Sequence, residues 1–153
     1  MVVFDDTIRA CDIQQGALGN CYYLSALAVI AHTKPHLIKS LFHPRSQEET
    51  EAGIYVVRMF KNKEPVVVTV NDYFPANKND RYPFCQVQNQ EGGAKELWPI
   101  IMEKVYAKLY GDFKTIEGGW IDEAFSDLTG GAGEHFNLAN EECMEMYQTG
   151  ELW

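Results

Sequence analysis

The spacing of apolar and polar residues predicts two helices in the first third of the chain, followed by a β-hairpin. Residues 21–31 (CYYLSALAVIA) are apolar almost throughout and follow Asn20, a common N-cap, so a buried helix is predicted to begin at the cysteine. A short second helix is predicted at 35–42. Two runs rich in β-branched and aromatic residues within 54–71 flank the polar tetrapeptide KNKE and predict a hairpin.

The second half of the chain predicts one short strand and three more helices. A strand is predicted at 84–88, and an amphipathic helix at 96–110, because apolar residues recur there near the helical period. Further helices are predicted at 120–128 and 139–149. Together these elements predict an α+β fold, a mainly helical lobe with a small antiparallel β-hairpin.

Composition narrows the class of protein. With 153 residues and 46% apolar content, the chain is long enough for one or two small lobes with a hydrophobic core. A formal charge of −9 would repel nucleic acid and anionic membranes, and the longest apolar run, 21–31, is too short to span a bilayer. The cysteines show neither zinc-site spacing nor the density of a disulfide scaffold, and the N-terminal residues show no secretion signal. We therefore expect a cytoplasmic (intracellular) protein without a transmembrane segment.

The segment 15–27, QGALGNCYYLSAL, carries the candidate chemistry. It places Cys21 in the first turn of a predicted helix, where the partial positive charge of the helix end stabilises a thiolate. The side-chain amide of Gln15 and the backbone N–H of Cys21 would supply two donors to the oxyanion formed when the thiolate attacks a peptide carbonyl. The alternative interpretation of Cys21 is a small buried apolar residue.

These residues resemble those of a known family. The Gln-Gly and Gly-polar-Cys-aromatic context is similar to that of papain-like thiol proteases, and QGALGNCYYLSAL resembles the calpain family. The segments GIYVVRMF, VVVTVNDYFP and ELWPIIMEKVYAKLYG, then a glycine pair and EAFSDLTGG, follow in the order of the first protease-core subdomain of calpains. The resemblance implies that 1–131 form this papain-like half, and that 132–153 begin the connection to a second catalytic lobe.

The resemblance also implies a role for each candidate residue. Cys21 would be the nucleophile, Gln15 the oxyanion-hole donor, and Gly119 a backbone site that pairs with an extended protein or peptide substrate. The positions that match the family's calcium-binding carboxylates are Asp12 and Glu96, which suit a cation that prefers oxygen donors. In the alternative interpretation, Asp12 caps a loop and Glu96 is an acidic residue at a helix start.

A thiol protease also needs a histidine to move protons, and the chain offers poor candidates. The family supplies its histidine and asparagine from Gly-His and Asn-Pro-Trp segments, and neither motif occurs in this sequence. His32, His36, His43 and His135 are predicted to be surface or packing residues. We therefore expect no peptidase activity from this chain alone, because the base would come from the second catalytic lobe of the full-length protein.

Three departures from the family pattern are visible. Tyr22 stands where tryptophan usually follows the nucleophile, and Trp120 is bulky where a small residue commonly follows the glycine pair. Asn20 replaces the common aspartate, which is expected to change little because both residues cap helices.

Three functional hypotheses remain open at this point. The first is a fragment of a calcium-dependent intracellular cysteine endopeptidase of the calpain type. The second is a non-catalytic calpain-like module that binds proteins or acts as a scaffold. The third is a redox-sensing thiol domain, which would not explain Gln15 or the glycine pair.

Overall fold

The computed structural model describes residues 2–4, 7–48, 52–76, 84–87, 96–134 and 136–151. Within these ranges there are five α-helices: α1 (Cys21–Thr33), α2 (Pro35–Leu41), α3 (Trp98–Tyr110), α4 (Ile121–Thr129) and α5 (Glu141–Thr149). Two short 3-10 helices, Ala10–Asp12 and Pro44–Ser46, were not predicted. No helix in the described ranges combines the length and the apolar content needed to cross a bilayer.

The described strands form two separate two-stranded antiparallel sheets. The strands are β1 (Ile13–Gln14) paired with β4 (Gln86–Val87), and β2 (Ile54–Lys61) paired with β3 (Glu64–Asn71). The predicted hairpin is therefore confirmed. It turns through Asn62 and Lys63, which have φ of 51° and 67°, the positive values that a two-residue hairpin turn requires. With the five helices, these sheets confirm the α+β class.

Helices α1 and α3 form the centre of the hydrophobic core. The rings of Tyr23 and Tyr106 stack with centroids 3.9 Å apart, and the Tyr23 hydroxyl donates to the backbone carbonyl of Met102 at 3.0 Å. The hairpin contributes the inward-facing residues Tyr55, Val57, Met59, Val68 and Val70, all buried. Because aromatic rings bury large areas, this contact holds the first turn of α1 against α3.

The start of α3 differs from the prediction. The helix begins at Trp98, where Pro99 suits the first turn, and not at 96. Glu96 lies two residues before the helix and forms an isolated parallel bridge with Val2. Its carboxylate is therefore attached to extended backbone and not to a helix end.

The last described helix, α5, starts two residues later than predicted. The side chain of Asn140 accepts hydrogen bonds from the backbone N–H groups of Glu142 and Cys143, at 2.9 and 3.4 Å, so it is the N-cap. No residue of α5 is buried.

Candidate active site

The loop between β1 and α1 carries the two predicted catalytic residues. The Gln15 side chain is exposed, and its Nε2 donates to the backbone carbonyl of buried Leu18 at 2.8 Å. Because this bond uses one of two amide N–H groups, the second is available to another acceptor. Cys21 is the first residue of α1, and it is an exposed free thiol. The alternative interpretation of Cys21 as a buried apolar residue is therefore wrong.

The glycine pair lies against this loop. The backbone N–H of Gly118, which has a φ of 78°, donates to the carbonyl of Gly19 at 2.9 Å. A Cβ atom at Gly119 would approach the ring of Tyr22 to 2.5–2.9 Å, so the Gly119 backbone rests on that ring. Since Tyr22 directly follows Cys21, this contact brings the exposed Gly119 backbone near the start of α1.

The Tyr22 ring is held from inside by a cluster of polar aromatic residues. It packs edge-on against Tyr106, with centroids 6.4 Å apart. Burial raises the pKa of Tyr22, and a hydrogen bond with Tyr106 partly offsets that rise. The Tyr110 hydroxyl, one turn beyond Tyr106 on α3, donates to a carboxylate oxygen of Asp127. Burial raises the pKa of Asp127, and this hydrogen bond opposes the rise.

The tyrosine cluster was not anticipated, although the sequence contained a signal for it. Tyr106 and Tyr110 are spaced i, i+4, which places both on one face of α3. Tyr22 therefore differs from the usual tryptophan of the family in having a hydroxyl that joins this cluster. Trp120, the N-cap residue of α4 after the glycine pair, is 63% exposed and presents a large apolar surface beside Gly119.

The two predicted metal-binding carboxylates are both buried. Asp12 is 5% exposed, and its Oδ2 accepts the backbone N–H of Arg9 at 2.6 Å, the contact of a loop cap. Glu96 is 4% exposed, and its Oε2 accepts the indole N–H of Trp98 at 3.2 Å. Among the described residues, no group of three or more His, Cys, Asp or Glu side chains is arranged to hold a metal ion. Calcium at Asp12 and Glu96 stays a prediction.

The described histidines belong to the far end of α1 and the segment after it. His32 lies eleven residues along α1 from Cys21, which the helical rise makes about 16 Å. His36 is exposed in α2, and the Nδ1 of His43 accepts a backbone N–H within its own turn. His135 lies outside the described residues. The absence of a catalytic base from this chain stays a prediction.

Asn20 is the N-cap residue of α1, as predicted, but its side chain does not cap the helix, so that part of the prediction is wrong. The backbone carbonyl of Asn20 accepts the first N–H groups of the helix, but its side chain makes no capping bond. Instead, Asn20 Nδ2 donates to Glu103 Oε1 at 2.7 Å, and the backbone N–H of Cys85 donates to Glu103 Oε2 at 2.8 Å. Capping propensity describes an isolated helix end. In this protein the Asn20 side chain bonds to Glu103 of α3 instead of to the first N–H groups of α1.

Glu103, which is fully buried in α3, was also not predicted as a site residue. A signal was present, because the residues one helical turn away on either side are all apolar or aromatic. These neighbours are Pro99, Ile100, Tyr106 and Ala107. An acidic residue with such neighbours faces the core and needs a polar partner there.

The sequence is similar to that of proteins from one known family. The family model described as calpain family cysteine protease matches residues 1–151. The chain belongs to the calpain family. It is 36% identical over 151 residues to the calpain-type cysteine protease ADL1 of Oryza sativa subsp. japonica, covering 99% of this chain and 7% of that protein.

Animal calpains are similar to a slightly shorter part of the chain. Calpain clp-4 of Caenorhabditis elegans is 38% identical over 136 residues, covering 86% of this chain and 18% of that protein. The calpain-1 catalytic subunit of Rattus norvegicus is 36% identical over 133 residues, covering 87% and 18%. The resemblance to calpains is therefore confirmed, and this calpain chain spans only 7–18% of the length of these relatives.

The contact between Gly119 and Tyr22 generates the first prediction. Gly119→Ala is expected to lower the free energy of unfolding by about 1–3 kcal/mol, because the new methyl group overlaps the tyrosine ring. In a Tyr22→Ala background the same substitution is expected to cost close to nothing. Urea denaturation of the four proteins measures the coupling, and an equal loss in both backgrounds would exclude the contact.

Proposed function

We propose that this calpain chain is the nucleophile-bearing part of a calcium-dependent cysteine endopeptidase that hydrolyses peptide bonds in proteins. The observation that carries the proposal is the exposed Cys21 thiol at the first turn of α1, between the Gln15 loop and the Gly119 backbone. Membership of the calpain family supports the same chemistry. The free cysteines and the acidic composition support an intracellular location.

Each residue has a distinct role in the proposed reaction. The Cys21 thiolate attacks the carbonyl carbon of the scissile peptide bond, and the amide of Gln15 and the N–H of Cys21 donate to the resulting oxyanion. The backbone of Gly119 pairs with the extended substrate. Collapse of the tetrahedral adduct expels the amine, which takes up a proton, and leaves a thioester that water hydrolyses.

The proton transfers require a base that we place in the second catalytic lobe of the full-length protein. Residues 1–131 would form the nucleophile-bearing subdomain, and 132–153 would begin the connection to that lobe. The exposed position of α5 supports this division, since a helix with no buried residue contributes little to the core of the first subdomain.

The second prediction concerns activity. The 153-residue chain is expected to cleave no peptide substrate at any calcium concentration, because it lacks a base to take the thiol proton and then, as the conjugate acid, to protonate the leaving amine. Cleavage of a fluorogenic peptide measures this, with intact-mass detection of alkylated Cys21 as evidence that the thiol is present. Turnover that disappears in Cys21→Ser would contradict the assignment of the base to another lobe.

The third prediction concerns the reactivity of the thiol. Iodoacetamide is expected to label Cys21 about tenfold faster than Cys11 at neutral pH, because Cys21 is the first residue of α1, whose end carries partial positive charge, whereas Cys11 lies in a three-residue 3-10 helix. Cys11 is the exposed comparison within the chain, and it differs from Cys21 in that its thiol donates to Asp12 Oδ1 at 4.0 Å. Peptide mapping by mass spectrometry gives both rates.

Cys85 supplies an internal control for native structure. Burial, reinforced by the charge of Glu103, raises the pKa of Cys85 to about 12, so this fully buried thiol stays protonated and unlabelled until the protein unfolds. Equal labelling of Cys21 and Cys11 in a sample that protects Cys85 would contradict an activated nucleophile. It would favour the non-catalytic calpain-like module.

The calcium dependence rests on Asp12 and Glu96. Carboxylate oxygens are suitable calcium ligands, but the described pair is too few by itself, so backbone carbonyls would have to complete the coordination. Both carboxylates are buried, and each has one oxygen bonded to a nearby N–H group. When bound, the cation would neutralise these two buried charges.

The fourth prediction tests this site by stability. Calcium at 100 times its Kd would add about 2.7 kcal/mol, a rise in Tm of about 5–10 °C for a chain of this size. Asp12→Asn and Glu96→Gln should each abolish the rise, because the amide keeps the existing hydrogen bond but loses the charge. Glu145→Gln on exposed α5 is the matched control and should keep the rise.

A rise that persists in both site variants would place the calcium elsewhere. An equal rise with magnesium would show a general effect of divalent cations, since magnesium demands a smaller octahedral site.

A further inference from the structure

A buried polar pair lies directly under the start of the nucleophile helix. Asn20 and Glu103 are both fully buried, and the Asn20 amide donates to the Glu103 carboxylate at 2.7 Å although the residues are 83 positions apart in sequence. The other Glu103 oxygen accepts the backbone N–H of Cys85 at 2.8 Å. Within the described residues, Asn20 Oδ1 has no hydrogen-bond partner. Such burial is costly and needs an explanation.

The polarity of the pair is fixed by its partners. Both Glu103 oxygens accept hydrogen bonds, as an ionised carboxylate does, so the residue at position 20 must present a donor. Among the described residues, the titratable groups that interact with Glu103 include the Tyr23 phenol from α1 and the Cys85 thiol from the segment before β4. Burial and the charge of Glu103 raise the pKa of both, so both stay neutral near pH 7.

The pair also lies next to Cys21 along the chain. Asn20 directly precedes Cys21, and its backbone carbonyl accepts the N–H groups of Tyr23 and Leu24 at 3.0 and 3.1 Å. The Asn20 side chain therefore attaches the first turn of α1 to α3. The backbone N–H of Cys21, a donor of the proposed oxyanion hole, belongs to that same turn.

We propose that Asn20 and Glu103 are a positioning pair for Cys21, and that the asparagine makes this support independent of a bound proton. An aspartate at position 20 would place a second carboxyl group within hydrogen-bonding distance of Glu103. Two carboxyl groups so close are not both ionised, so one of them would have to bind a proton. The first half of the proposal rests on the proposed function of Cys21 as nucleophile.

The fifth prediction uses one substitution to introduce the proton. In Asn20→Asp the folded state binds a proton that the unfolded state releases above about pH 5, so stability falls as pH rises. We expect its Tm to fall relative to the unsubstituted protein by about 3–5 °C per pH unit between pH 5.5 and 8. A constant difference in Tm over this range would overturn the shared-proton part.

A second substitution should restore the pair with opposite polarity. In Glu103→Gln alone, two hydrogen bonds to a carboxylate become bonds to a neutral amide, and the Asn20 amide must turn over so that its Oδ1 accepts the Gln N–H, so the variant should lose stability at all pH values. In Asn20→Asp/Glu103→Gln, the Gln N–H donates to the aspartate and the Gln carbonyl accepts from Cys85. The double variant should recover most of the lost Tm and lose the added pH dependence.

The ratio of Cys21 to Cys11 alkylation rates, measured well below each Tm, separates positioning from stability. It should fall severalfold in both single variants and recover in the double variant. Loss of Tm with an unchanged ratio in all variants would make the pair purely structural and overturn the positioning role.

Failure of the proposed function gives a different result. A ratio near one in the unsubstituted protein would remove Cys21 as nucleophile, and the positioning role with it. The Tm of the double variant would still test which residue of the pair donates and which accepts. Recovery of the Tm supports the proposed polarity, and no recovery overturns it. If a single variant does not fold even at pH 5.5, the double variant alone gives this answer.

Discussion

The packing of α1 on α3 determines the chemistry that the surface presents. Tyr23 is buried by stacking on Tyr106, and successive residues of a helix are 100° apart, so Cys21 lies about 200° away around the axis. The exposed positions Ser25 and Val29 follow Cys21 at intervals of four residues. Although the helix is apolar almost throughout, burying one face necessarily turns the cysteine towards solvent.

The same contact sets the shape of the surface beside the thiol. Tyr22 cannot follow Tyr23 into the core, so its ring lies over Tyr106 and supports the Gly119 backbone. The glycine is required there because the ring occupies the space of a side chain. The Tyr22 hydroxyl also interacts with the cluster formed by Tyr106 and Tyr110 of α3 and Asp127 of α4. The position of the ring and the exposure of the Gly119 backbone therefore have one cause.

Local patterns were sufficient for the helix that starts at Cys21 and for the hairpin, because both follow from runs of neighbouring residues with strong preferences. They failed at Asn20, where an amide that suits a helix cap instead bonds to Glu103, a residue far away in sequence. The pairing of β1 with β4 was also missed. It joins distant parts of the chain, and two-residue strands carry no periodicity. The family motif identified the candidate site residues. The hydrogen-bond partners of their side chains depend on tertiary contacts, which no local pattern contains.

The proposed cation site at Asp12 and Glu96 is linked through the backbone to the loop that carries Gln15. Asp12 directly precedes β1, and Gln15 directly follows it, so any force on the Asp12 carboxylate acts on a loop only three residues away. A cation would compete with the backbone N–H of Arg9 for the Asp12 oxygens, and with the indole of Trp98 for Glu96. Binding would therefore replace two local hydrogen bonds with metal coordination that joins two segments of the chain. Its effect on Gln15 would depend on how much of the 3-10 helix at Asp12 is retained.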